Sequence, residues 1–210
     1  MQLIIVLGLV FLVGYLFGSI PVGLLVVKQI SGVDIRTVGS GRTGGTNAMR
    51  AAGRKAFFIV GAGDILKGFL PVLLARLAFP DIPLAAAVAG IGAMVGVIWS
   101  VFIKFKGGAG GASNIGIVLA LQPLAAVIAI SMGAVAFLAS GMASIGTMTG
   151  CATAMVVLFV FAWLGWVPWA YTVYGVVQLI LVLIALRPNI QRIMHGTERR
   201  VSFFRSGHQT

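Results

Sequence analysis

Apolar residues along this chain fall in long runs, and polar residues collect in three short clusters between them. The runs cover residues 3–27, 56–77, 84–103, 112–138, 145–164 and 170–185. A helix needs about 20 predominantly apolar residues to cross the hydrocarbon core of a bilayer, so the runs predict membrane-spanning helices. The run 112–138 is broken at Gln122-Pro123. Proline has no N–H with which to continue a helix, so two shorter helices are predicted there, and Pro21 is expected to kink the first span. Gly14 with Gly18, and Gly92 with Gly96, are four residues apart on one helix face, the spacing that lets helix backbones approach closely in lipid.

The polar clusters set the orientation. Residues 28–55 carry Lys28, Arg36, Arg42, Arg50, Arg54 and Lys55 against Asp34 alone. Residues 104–111 carry Lys104 and Lys106, then four glycines around Ala109. Residues 187–210 carry Arg187, Arg192, Arg199, Arg200 and Arg205 against Glu198. Basic loops stay on the cytoplasmic side of a membrane. All three clusters reach that side only with about seven spans, the helices on either side of Pro123 counted separately. The N-terminus is then outside and the C-terminus inside. The helix before Pro123 is short for a full span and is expected to be tilted or buried in the bundle. The predicted fold is an all-α, polytopic integral membrane bundle. It forms a single domain over 1–210 with a flexible tail at 199–210. Trp163, Trp166 and Trp169 around Pro168 read as an interfacial belt.

Composition narrows the class further. The chain has 210 residues, 60% hydrophobic and 9% charged, with a mean hydropathy of +1.09, which excludes an ordinary soluble domain. A net charge of +11 invites a nucleic-acid reading. The cations sit in loops between spans, where they orient the chain and attract anionic lipid, so membrane lipid and not nucleic acid is the expected partner. Cys151 is the single cysteine, and His195 and His208 both lie near the C-terminus. No disulfide framework, metal site or cofactor is expected. The start, residues 1–12, has no cationic n-region and reads as the first span, not a cleaved signal.

The candidate chemistry lies in residues 38–50, V-G-S-G-R-T-G-G-T-N-A-M-R. Gly39, Gly41, Gly44 and Gly45 permit close backbone approach. Ser40, Thr43, Thr46 and Asn47 offer neutral hydrogen bonds, and Arg42 and Arg50 offer forked donors suited to phosphate. No G-K-[ST] closes the stretch, so it is not a Walker loop. It reads as an anion-binding loop, with a basic loop that only sets topology as the simpler alternative. The glycines of 107–111 could present a helix N-terminus to an anion, against the alternative of a plain Gly-rich turn. Asp64 and Lys67, spaced i, i+3 within a span, read either as a structural ion pair or as substrate contacts.

The chain resembles the bacterial acyl-phosphate-dependent glycerol-3-phosphate acyltransferases, the PlsY type. The residues that carry the resemblance run nearly its whole length. They are Gly18-Ser19-Ile20-Pro21-x-Gly23; Asp34-Ile35-Arg36 with Gly39-Ser40-Gly41, Gly44, Thr46-Asn47 and Arg50; Asp64-Ile65-Leu66-Lys67-Gly68 with Pro71; Phe102-x-Lys104-Phe105-Lys106-Gly107-Gly108-x-Gly110; Ala143-Ser144-Ile145; and Asn189-Ile190-x-Arg192 with Gly196-Thr197-Glu198. The resemblance implies about seven helices. It also implies transfer of a fatty acyl group from acyl phosphate to the 1-hydroxyl of sn-glycerol 3-phosphate, giving lysophosphatidic acid and phosphate, without acyl-CoA, at the inner membrane with the site facing the cytoplasm.

It further implies that Ser40, Gly41, Arg42, Gly44, Thr46, Asn47 and Arg50 form the acceptor site. Lys104, Lys106, Gly107, Gly108 and Gly110 would hold the acyl-phosphate head group. Ser144, Asn189, Arg192, Gly196 and Glu198 would close the site, with Ser40, Arg50 and Asn189 as the catalytic set. The sequence departs from the family pattern at Arg42, Val97, Ala109, Leu186 and Pro188. Two family histidines and one lysine are thereby lost, and Arg42 or Arg187 could restore a cation. A paralogue that binds a phosphorylated lipid or metabolite is the alternative, and a small-anion transporter a third reading.

Overall fold

The computed structural model describes residues 1–201; positions 202–210, where most of the tail expected at 199–210 falls, lie outside the described residues. The described chain is helix and turn with no strand. Its helices are α1 (Gln2–Ser19), α2 (Val22–Ser31), α3 (Gly45–Ala78), α4 (Pro83–Ile98), α5 (Gly111–Leu121), α6 (Pro123–Ser140), α7 (Ala143–Trp163) and α8 (Ala170–Met194), with short 3-10 turns at Ile35–Thr37 and Val101–Ile103. Six stretches among the described residues are long and apolar enough to cross a membrane, α1 with α2 counting as one. The seventh apolar helix, α5, has 11 residues, about 16 Å of helix, or half a bilayer. The chain is an all-α integral membrane bundle.

Prolines cut it where expected. Pro21 separates α1 from α2, and Pro123 opens α6 directly after α5. Three boundaries differ most from the sequence reading, one of them the end of α8, which continues past 185 to Met194 with Pro188 and Arg192 inside it. The third run of apolar residues ends as a helix at Ile98, with Val101–Ile103 forming a separate turn. The second predicted span, α3, begins at Gly45, not 56, so residues 45–50 of the glycine-rich stretch are helical and not loop. A break at Ala52 and Gly53, where Gly53 takes φ +80°, folds this first part of α3 away from the long part.

Helix packing is governed by missing side chains. A Cβ added at Gly14 or Gly18 would overlap the carbonyl oxygens of Ala89 and Ala93, and one at Gly92 or Gly96 would overlap those of Phe11 and Tyr15. The two glycine pairs therefore interlock, α1 against α4. Gly68 and Gly116 do the same for α3 and α5 against the Ser113 and Ile65 carbonyls. Lipid tails are as apolar as leucine, so helices associate by close van der Waals contact and not by hydrophobic exclusion. α4 is the central post, with 11 of its 16 residues buried, eight of them alanine or glycine. The large apolar side chains point outward: Ile4 is 76% exposed, Phe58 66%, Leu77 70% and Leu138 66%, the reverse of a soluble bundle.

Substituting Gly18 with leucine is expected to force α1 from α4 and lower the melting temperature in detergent, at a cost of about 1–3 kcal/mol. The same change at Gly8, which faces open space, should leave it unchanged.

Candidate active site

At one end of the bundle a cavity of about 500 Å³ lies among Ser40, residues 42–47, Arg50, the long part of α3, the 108–112 turn, the start of α7 and the end of α8. Three helices begin on its wall: α3 at Gly45 and Thr46, α5 at Gly111 and Ala112, and α7 at Ala143 and Ser144. None of the three carries a side-chain cap. First-turn N–H groups have no partner within their own helix, and each helix start carries a partial positive charge, so the three together favour an anion. The wall adds Arg42, Arg50, Lys67, Arg192 and Arg199 against Asp64 and Glu198; five cations against two carboxylates leave a net charge of +3.

The glycine-rich loop is folded on one side chain. Asn47 is 2% exposed. Its Nδ2 donates to the carbonyls of Ile35, Val38 and Arg42 at 2.9–3.1 Å, and its Oδ1 accepts from the Ser40 N–H at 3.1 Å. A side chain at Gly39, which takes φ +54°, would run into that amide. At the base of the loop, Asp34 accepts from the backbone and guanidinium of Arg36 at 2.7–3.1 Å. Those bonds hold its carboxyl at about 2, below the usual range.

Arg42 reaches across the cavity and donates to the Ala185 carbonyl in α8, one turn before Pro188. Burial and the neighbouring Arg192 charge lower its pKa, yet an arginine stays protonated. Asp64 and Lys67 form a buried ion pair at 2.9 Å on the cavity floor. Lys67 also donates to the Ile20 carbonyl at 3.0 Å, where the Pro21 break has opened the ladder. The structural reading of the pair is thus seen in the fold, and both residues also line the cavity.

The C-terminal segment closes the site. Gly196, at φ +67°, turns the chain back after α8. The Glu198 carboxylate then accepts from Ser144 Oγ at 2.8 Å, Asn189 Nδ2 at 2.6 Å and Arg192 Nε at 2.9 Å, with its side chain 4% exposed. Burial alone would raise its pKa, but the three hydrogen bonds and the Arg192 charge bring it below the ordinary value.

Of the expected site residues, Ser40, Arg42, Gly44, Thr46, Asn47, Arg50, Gly108, Gly110, Ser144, Asn189, Arg192 and Glu198 border the one cavity. Gly41, Lys104, Lys106, Gly107 and Gly196 do not. Lys104 and Phe105 take φ of +54° and +60°, in a turn that points Lys104, Lys106, Phe102 and Phe105 to the outside of the bundle. Cationic and aromatic side chains there suit a bilayer surface. The amides of Gly107 and Gly108 donate to the carbonyls of Ile98 and Val97 at the end of α4, at 3.1 and 2.8 Å. They are therefore committed to the fold. Asn47 is likewise committed to the loop.

Thr43, named in the candidate loop, is also on the wall; sequence reading missed Phe57, Thr147 and Arg199 there, and missed that α7 starts there. A second, apolar cavity of about 370 Å³ between α5, α6 and α7 was also missed, although Gly133, Gly146 and Gly150 mark it. It shares Thr46, Phe57, Gly111, Ala112, Ile115, Ala143 and Thr147 with the first, so a chamber bearing the charged groups opens into an apolar groove.

The family model for glycerol-3-phosphate acyltransferase matches residues 8–196. The chain belongs to the glycerol-3-phosphate acyltransferase family. It is similar to a protein of Dehalococcoides mccartyi named glycerol-3-phosphate acyltransferase 3, with 40% identity over 212 residues, covering 96% of this chain and 98% of that one. The glycerol-3-phosphate acyltransferase of Myxococcus xanthus is 39% identical over 189 residues, covering 90% and 96%. The fold matches crystal structures of PlsY (YgiH), an integral membrane glycerol 3-phosphate acyltransferase. The glycerol 3-phosphate form matches at a TM-score of 0.86 with 33% identity, covering 93% of this chain and 95% of that one. The lysophosphatidic acid form matches at 0.83 with 32%, covering 92% and 94%. Four of the positions singled out in the sequence as departures, Arg42, Val97, Ala109 and Leu186, border the cavity.

Asn47→Ala is expected to free the loop, seen as faster hydrogen exchange of the Ser40 amide while α4 amides keep their rate. The Glu198 contact has a definite pH sense. A carboxyl with a lowered folded pKa adds stability that is present above its unfolded pKa and is lost as pH falls through the folded one. Exchange protection of residues 196–201 should therefore be full from neutral pH down to the ordinary glutamate range, weaken from there, and be lost once pH falls below the lowered folded pKa.

Proposed function

We propose that this chain transfers a fatty acyl group from acyl phosphate to the 1-hydroxyl of sn-glycerol 3-phosphate, giving lysophosphatidic acid and inorganic phosphate. One observation carries the reading: three uncapped helix starts and a net positive wall enclose a chamber that opens into an apolar groove. A phosphate fits the first part and an acyl chain the second. The site lies on the cytoplasmic side of the bacterial inner membrane, in keeping with the basic clusters around it.

The acceptor phosphate is held by Arg50 with the Ser40 and Thr46 hydroxyls and the first amides of α3. The head group of the acyl phosphate is held by the start of α5, Gly110 to Ala112, together with Arg42. That share was expected of Lys104 and Lys106; Arg42 takes it because its guanidinium is pinned inside the chamber by the Ala185 carbonyl. Asn189, Arg192 and Ser144 are organised by Glu198 at the mouth.

The acceptor hydroxyl oxygen bonds to the acyl carbon, the bond between the acyl carbon and the bridging oxygen breaks, and phosphate leaves with that oxygen and the bonding electrons. The hydroxyl proton passes to a phosphate oxygen of a substrate. Among the described wall residues there is no histidine, Asp64 is paired with Lys67, and Glu198 is taken by three donors. Phosphate is a good leaving group, so positioning does most of the work; well-oriented groups lower a barrier by about 7–11 kcal/mol. Helix starts and arginines stabilise the charge that develops, at about 3–4 kcal/mol per well-placed donor.

Purified protein in lipid, given acyl phosphate and glycerol 3-phosphate, is expected to release phosphate and form lysophosphatidate. Equal rates with acyl-CoA would remove this mechanism. Arg50→Ala should raise KM for glycerol 3-phosphate by about 1.5–3 kcal/mol, the value of a charge-assisted hydrogen bond. An unchanged KM would take Arg50 out of the acceptor site.

A further inference from the structure

A further cavity, of about 350 Å³, lies at the end of the bundle opposite the chamber. α4 begins on its wall at Pro83 and α8 beside Tyr171. Both helices reach the chamber only at their other ends, at Val97 and at Leu186 and Asn189. Tyr171 to Leu186 alone is about 22 Å of helix. The volume is that of a small-ligand site. Its polar side chains are Arg76, Gln122, Trp166 and Tyr171, with no carboxylate among the described wall residues. Arginine and the tryptophan N–H can only donate.

The carbonyl ends that reach this wall are already closed. Arg76 Nη1 donates to the Ala120 and Leu121 carbonyls of α5. The Gln122 and Trp166 amides donate to the Val118 and Phe161 carbonyls at 2.7 and 2.8 Å. Pro83 and Pro123, the first residues of α4 and α6, bring no N–H of their own. What the wall offers is therefore side-chain donors. Arg76 has some to spare, since a guanidinium carries five N–H groups. Nη1 is spent on α5, whereas Nε and Nη2 make no hydrogen bond among the described residues. Those two form the edge of the fork that fits two oxygens of one oxyanion. Asp81, the acid in the neighbouring turn, forms no ion pair with it among the described residues. Tyr171 is 6% exposed and lines the cavity, yet its hydroxyl has no hydrogen-bond partner among the described residues. A buried tyrosine O–H usually finds one, and here the chain supplies none.

We propose that this cavity is an oxyanion site, and that it holds the phosphate of a phospholipid head group in the leaflet away from the chamber. The proposal stands apart from the acyl-transfer reading. Arg76 grips two phosphate oxygens through Nε and Nη2, and Tyr171 donates to a third position. The surroundings select a lipid. Trp163, Trp166 and Trp169 are all exposed beside the cavity, at the end of α7 and the start of α8, and tryptophan settles at head-group depth. From Pro123 on the wall, Leu124, Val127 and Ile130 are exposed in successive turns along α6. Spaced three apart on one face, they form an apolar track toward the bilayer centre on which an acyl chain can lie. A free phosphate would use the same donors and none of the track.

The test uses the full chain, stripped of lipid in a neutral detergent and titrated by calorimetry with dihexanoyl phosphatidylglycerol, inorganic phosphate and dihexanoylglycerol in separate arms. Tyr171→Phe is expected to weaken phosphatidylglycerol binding by roughly tenfold to a hundredfold, the value of one hydrogen bond to a charged group. Arg76→Lys, which keeps the charge and loses the fork, should weaken it at least as far. The Tyr171 hydroxyl supports nothing in the fold, so Tyr171→Phe should melt with the parent when no ligand is present, which separates lost binding from lost folding. Arg50→Ala, in the chamber, should bind phosphatidylglycerol as the parent does. Equal binding by Tyr171→Phe and the parent, or loss of binding in Arg50→Ala alone, overturns the site. Dihexanoylglycerol binding as tightly as phosphatidylglycerol overturns the phosphate. Inorganic phosphate binding as tightly, with the same dependence on Tyr171, overturns the lipid in favour of the free anion.

Discussion

Within hydrocarbon there is no water to satisfy a bare N–H or C=O, and each unsatisfied group costs several kcal/mol. A bundle that breaks its helices inside a membrane must close every break with a side chain or a neighbouring backbone. This chain breaks them repeatedly, and the closures are what assemble it. The carbonyls opened at Ser19 and Ile20 accept from Ser100 and Lys67. Those opened at the end of α5, Ala120 and Leu121, accept from Arg76. The Ala185 carbonyl in the proline-bearing α8 accepts from Arg42. The end of α4 is closed by the Gly107 and Gly108 amides.

These closures account for the polarity of the molecule. α5 stops half-way and is capped at its far end by an arginine, while its near end is left without a side-chain cap at the chamber. α3 and α7 begin beside it in the same condition. Carbonyl ends are paid for by the protein's own cations and hydroxyls, and amide ends are directed to one place. A site that favours an anion is the consequence. Catalysis by an already activated donor asks for little more than this, because fixed dipoles need no reorganisation as charge develops.

Close packing makes the arrangement rigid enough to use. The interlocked glycine pairs of α1 and α4, and of α3 and α5, bring backbones into contact with carbonyl oxygens. The same economy of side chains on α6 and α7 leaves the apolar groove. One composition, rich in glycine and alanine on inward faces, thus supplies helix contact in some places and room for a ligand in another. What decides between them is whether a partner helix fills the space.

Much of the fold was legible along the chain. The apolar runs, the break at Pro123 and the glycine pairs are local properties, and helix length and face follow from them directly. The convergence of Ser40, Arg50 and Asn189 on one chamber was also legible, because basic clusters share one side of a membrane. The destinations of individual polar groups were not. Lys104 and Lys106 turn outward because two successive residues adopt positive φ. Asn47 turns inward because its amide matches carbonyls contributed by residues up to 12 positions away. The start of α7 reaches the chamber only through packing of its whole helix. Periodicity and charge describe each segment alone; side-chain direction in a loop and the meeting of helix ends depend on partners distant in sequence, and those exist only once the bundle has closed.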